Sequence, residues 1–199
     1  MTNAIPEVIT IIGPSYFQPI ADLVEKMVSK PRPTNGPSGT SFSEQGYSAS
    51  VIVLLVALLE SFTARLRYLK QDELQGFRGN VPDLLLYLYA DLPDHEKLIE
   101  IFLIRNSVAH NHTWLLDNRG TPDDGTTIQN PIEIGFQTNK HYGDVVDMSN
   151  RKTKILELNA SPSSLDREDV LKVFEVVWVT LRFLNGKDFS DTPLVSSHP

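Results

Sequence analysis

The chain contains no cysteine in its 199 residues, which excludes a disulfide framework and any thiolate metal site. That fits a reducing compartment, and the cytoplasm is the expected location. Basic residues are not in excess either: 18 Lys and Arg stand against 25 Asp and Glu, for a net charge of −7. A protein that grips nucleic acid over a broad face draws on many cations. Any such contact here must be confined to a local cationic cleft or shared with a partner. The longest apolar run, Ala49 to Leu59 with only Ser50 inside it, is short of the roughly 20 residues that cross a bilayer. The opening MTNAIPEVITIIGPSY lacks a cationic start leading into an apolar core, so a soluble chain with no secretory signal and no membrane partner is expected. Walker-type phosphate loops, the dinucleotide fingerprint and GxSxG are also missing, and no cofactor is expected.

What the chain does contain is helical patterning and enough apolar residues, 41%, to build a core as one domain over 1–199. The β-branched EVITIIG near the start reads as a short strand or an apolar arm. From Ser15, apolar residues at Ile20, Leu23, Val24, Met27 and Val28 fall on one helical face. Residues 30–46 are rich in Pro, Gly and Ser and read as a mobile loop. The strongest helical segment runs from Gln45 to Gln75, apolar nearly all round in its first half and amphipathic in its second, with Phe62, Leu66 and Leu69 inward. Val81-Pro82-Asp83 opens a short helix, and Asp94 caps the next, with His95 exposed in its first turn. Residues 117–131 are turn-rich. Beyond them IEIGFQT, GDVVDMS and KTKILELN alternate like strands, with a turn at Asn150-Arg151-Lys152, so 117–159 reads as a β-rich insert forming a small antiparallel sheet. In the last helix Val170, Val173, Phe174, Val177, Trp178 and Leu181 form the expected buried stripe, Gly186 the stop, and 187–199 a flexible tail.

One stretch stands apart. Glu100 to Trp114 reads EIFLIRNSVAHNHTW: an apolar run leads into Arg105 and Asn106, and then into His110, Asn111 and His112. At about 100° per residue, Asn106 and His110 share a face one turn apart, Arg105 shares a face with His112 two turns on, and Arg105 and His110 are offset by about 140°. Glu60, the first charge after the apolar run of the long helix, reads either as a solvated or salt-bridged helix residue or as a partner beside the Arg105 guanidinium. Arg105 and Asn106, then SVA, then His110 and Asn111, embedded in an apolar helix, resemble the signature of the HEPN superfamily: Arg, a polar residue, four to six residues after the Arg, then His. His110 fits the short gap and His112 the long one, and His110 is favoured for the small residue just before it.

That resemblance implies a mainly α fold, a HEPN-like bundle of about five helices, here with the β insert before the last one. It also implies a metal-independent endoribonuclease. In such a reaction the ribose 2′-OH attacks the adjacent phosphate, which needs a base near neutral pKa and a fixed cation for the charge growing on phosphorus. His110 or His112 supplies the first, Arg105 the second, with Asn106 on the phosphate or on the His and Glu60 orienting Arg105. The family further implies an RNA partner, a homodimer that juxtaposes two motifs, and a bacterial toxin or phage-defence setting with an antitoxin or defence-system partner. The alternative is a catalytically silent dimerisation or RNA-binding module, in which Arg105 and His110 serve packing or an interface. Zinc held by His110 and His112 with Asp117 is disfavoured, because two residues two apart on a helix diverge and helical zinc pairs are four apart.

Overall fold

The computed structural model describes residues 12–31, 42–109, 115–117, 127–129, 142–147 and 149–188. The architecture is mainly α, with two small antiparallel pairs of strands. Helices α1 (Phe17–Val28), α2 (Phe42–Leu69), α3 (Val81–Leu88), α4 (His95–Ala109), a single turn α5 (Tyr142–Val145) and α6 (Arg167–Asp188) carry most of the described chain. Strands β1 (Leu115–Asp117) and β2 (Thr127–Gln129) pair with Leu116 opposite Ile128. Strands β3 (Val146–Asp147) and β4 (Lys152–Thr153) pair with Val146 opposite Thr153.

The bundle is built on α2. At 28 residues it is about 42 Å long, and α1, α3, α4 and α6 all pack on it. Val51, Ile52, Leu55, Val56, Leu58, Leu59, Phe62 and Leu66 are buried along it, which is why its first half is apolar on several sides. The stretch Gly46–Leu69 is long enough and, with a mean hydropathy of 1.9, apolar enough to cross a membrane by length and composition. Here half of its most apolar window is buried within the bundle. A short 3-10 turn at Gly13–Tyr16 leads into α1 and presses on α2: a Cβ at Gly13 would lie 3.0 Å from the Phe62 ring, so glycine permits this approach.

Helix α4 is enclosed on all sides, with Leu98, Ile99, Glu100, Ile101, Phe102, Leu103, Ile104 and Ser107 buried. The charge in that run, Glu100, is satisfied by accepting the backbone N–H groups of Ile155 and Leu156, both at 2.8 Å. A second buried carboxylate ties the helix starts together. Glu44 of α2 takes Nε of Arg167 at 2.8 Å and Nη2 at 3.1 Å, and the same guanidinium donates to the Lys30 carbonyl at 3.1 Å. The hydrogen bond to Glu44 holds Arg167 more firmly protonated than usual. Asp169, also buried, accepts the N–H groups of Asn159 and Asp166, each at 3.0 Å; burial nevertheless pushes its carboxyl above the usual range.

Several expectations need correction. Helix α2 starts at Phe42, inside the stretch read as loop, because Glu44 is anchored by Arg167, and it ends at Leu69, where turns take over up to Gly76. Leu69 and Val28 are exposed rather than inward, each at the end of its helix, past the neighbour that buries the rest. Asp94 precedes α4 as expected, but its backbone carbonyl receives Lys97 and Leu98 N–H while its carboxylate pairs with Lys97. His95 is partly buried, with Nε2 enclosed and without a hydrogen-bond partner among the described residues. Thr127–Gln129, read as turn, is β2. Of KTKILELN only Lys152–Thr153 is strand, since Ile155 and Leu156 give their N–H groups to Glu100 and none to a neighbouring strand. Gly186 does not stop α6, which runs to Asp188 with Lys187 tied to Asp91 at 2.7 Å. IEIGFQT, all of EVITIIG except Gly13 and Ile12, and the tail after Asp188 lie outside the described residues.

Phe174 and Trp178, expected in the core, face out at 45% and 49% exposure. Apolar residues extend most of the way round α6, and the bundle takes only the face carrying Val170, Val173, Val176, Val177, Leu181 and Leu184. The two excluded rings stack on each other, 6.3 Å apart and nearly parallel at 7°.

Candidate functional site

The last third of α4 carries the site. One turn of this helix places Arg105 over Phe102, its guanidinium 5.5 Å from the ring centroid, and swings it towards α2. There Arg105 Nη2 forms an ion pair with Glu60 Oε1. The Glu60 carboxylate is 37% exposed and the Arg105 side chain 18% exposed, so the pair sits at the rim of the α2–α4 seam, partly in water. Arg105 Nε is enclosed and has no hydrogen-bond partner among the described residues. The guanidinium is therefore held from three sides: by a carboxylate, by an aromatic face and by burial of its stem.

Asn106 is partly buried, and no hydrogen bond engages its amide among the described residues. Ser107 is buried and donates back to the Leu103 carbonyl at 3.1 Å, which closes the helix beneath the site. The described helix ends at Ala109. His110, Asn111 and His112 follow directly in sequence and lie outside the described residues, as does the side chain of Asp117. The structure thus brings Arg105 and Glu60 together, Asn106 follows about 100° round the same helix, and the imidazoles enter through sequence alone. No group of three or more His, Asp or Glu that could hold a metal occurs among the described residues.

Sequence reasoning passed over a second feature. A cavity of about 530 Å³ opens between α1 and α6. It is walled by Phe17, Ile20 and Val24 of α1, floored by Val51 and Leu55 of α2, and closed by Val170 of α6. At about 100° per residue, Glu60 lies roughly 140° round α2 from Leu55 and roughly 180° from Val51, so cavity and ion pair occupy opposite sides of the central helix. The exposed apolar residues on both helices are its only trace in the sequence.

No family model, curated protein or solved structure matches this chain.

Proposed function

We propose that the protein is a metal-independent endoribonuclease of the HEPN kind, with Arg105 as the phosphate-binding cation. The observation that supports this reading is the Arg105–Glu60 pair at the end of the enclosed helix, immediately before His110 and His112. A cation meant to meet a phosphate must be pre-oriented and yet reachable by water. Glu60 fixes one Nη of a guanidinium that has five N–H donors in a rigid fork, which leaves the outer N–H groups for phosphate oxygens.

In this reading His110 accepts the proton of a ribose 2′-OH, with His112 the competing choice. The 2′-oxygen bonds to phosphorus, the bond to the 5′-oxygen breaks, and a second imidazole protonates that leaving oxygen, giving a 2′,3′-cyclic phosphate and a 5′-hydroxyl. Asn106 holds the phosphate or the His, and Glu60 is a positioning residue. RNA is the partner, and a toxin or defence setting belongs to the same proposal. The second reading, a catalytically silent module, is favoured by one feature: the buried Arg105 Nε, without a partner among the described residues, also suits an Arg that only ties α2 to α4.

Cleavage of RNA in EDTA separates the two. Arg105→Ala is expected to lower turnover about 100-fold or more, and His110→Ala by about 100-fold to 10,000-fold, in chains that keep their helical content. Glu60→Gln should raise KM more than it lowers kcat, because it loosens the cation without removing it. RNA that is bound and left intact by the unmodified chain decides for the silent module, and loss of activity in His112→Ala alone moves the base to His112.

A further inference from the structure

The apolar face that α1 and α6 turn outward stands apart from the site above, and its argument holds whether or not the chain cleaves RNA. Leu171, Phe174 and Trp178, at 53%, 45% and 49% exposure, follow one another at the three- and four-residue steps of a single helical stripe. Phe17 and Val28 of α1, which line the same cavity as Leu171 and Phe174, extend it. Together these residues expose on the order of 500 Å² of mainly apolar surface, within the range for the largest patch on a soluble monomer and more than half of the roughly 800 Å² per partner of a stable interface.

We propose that this face binds a second copy of the same chain, with the two α6 helices antiparallel across a two-fold axis level with Val176. Three observations favour a second copy over an unrelated occupant. The face holds both halves of a fit: a projecting ridge, the stacked Phe174 and Trp178 rings, and beside it the cavity of about 530 Å³. An axis at Val176 sets the partner's Trp178 at the level of Phe174, at the cavity mouth, and by symmetry the reverse, which is what an isologous interface requires.

The charges agree with the same orientation. The outer side of α6 carries Glu168 and Glu175 in its first half and Arg182 towards its end, and no ion pair engages Arg182 among the described residues. Antiparallel pairing brings the partner's Arg182 level with Val170, between Glu168 and Glu175, and opposes unlike ends of the two helix dipoles; it leaves the two Glu175 side chains near each other across the axis, whereas parallel pairing would set Glu168, Glu175 and Arg182 each against its own copy. The stripe is also too long for a small ligand, since Trp178 stands beyond the cavity wall. This is not the motif-to-motif dimer that the family resemblance implies, because Glu60 and Arg105 lie on the other side of α2 and stay outside the interface.

Sedimentation of the full chain tests the proposal. The unmodified protein should be a dimer at micromolar concentration, and Trp178→Glu should weaken it about 30-fold or more, the scale of a lost aromatic anchor, with unchanged helical circular dichroism because the ring is outside the core. Arg182→Glu should weaken it several-fold. The absence of cysteine supplies a clean probe: Glu175→Cys chains should be joined by a short bis-maleimide, and Asp72→Cys chains, in the turn that follows α2, should not. A chain that stays monomeric at hundreds of micromolar, or a dimer indifferent to Trp178→Glu and to the position of the cross-linking thiol, overturns it.

Discussion

Arg167 shows how much a single side chain can decide. Its side chain is 15% exposed and that of its partner Glu44 only 2%, so removing the cation strands a carboxylate in the core. Arg167→Ala should cost about 3–5 kcal/mol in urea unfolding, while the double replacement Glu44→Gln with Arg167→Met recovers most of that loss, because a buried pair is costly to break and cheap to replace whole. Asp169 makes the opposite kind of case. Burial raises its carboxyl above the usual range, so the folded chain holds that proton to higher pH than the unfolded chain does. Its contribution is fully present below the ordinary carboxylate range and is lost as pH rises through the folded value. Compared with Asp169→Asn, the unmodified chain should therefore show its greatest relative stability at the acid end, shrinking towards neutrality; a pH-independent difference in urea midpoints would contradict this. At this scale the candidate site was half legible. Glu60 and Arg105 each follow an apolar run on a long helix, and two such charges at a seam have little choice but each other. Arg167 with Glu44 was not legible, because both sit beside Pro- and Ser-rich stretches that carry no periodic signal.

Helices end and turn where hydrogen bonds allow, and this is where pattern reading and structure part. Period 3.6 located α1, α2, α4 and α6, since long apolar stripes dominate their local composition. The same rule placed Phe174 and Trp178 inside, because it assumes one buried face, and α6 has apolar residues on two. Alternation in KTKILELN suggested a strand, but the Glu100 carboxylate draws in the Ile155 and Leu156 N–H groups and bends the segment round itself, with Glu157 at φ 53°. The Glu100 contact predicts its own test: Glu100→Ala should leave the two amides without their acceptor, cost about 1–3 kcal/mol as unmade charged hydrogen bonds do, and raise hydrogen exchange at Ile155 and Leu156 ahead of the rest of the bundle. Unchanged exchange at those two amides would mean that the segment holds itself.

The molecule as a whole is centred on a helix whose partners come from both ends of the chain. Glu44, near the start of α2, and Arg167, at the start of α6, are 123 residues apart in sequence. On a ribosome moving at about 5–20 residues per second, α6 follows α2 by roughly 6–25 seconds. For most of that interval the longest apolar helix of the protein has left the exit tunnel with one flank bare, a natural client for chaperones and a point at which premature termination leaves an aggregation-prone fragment.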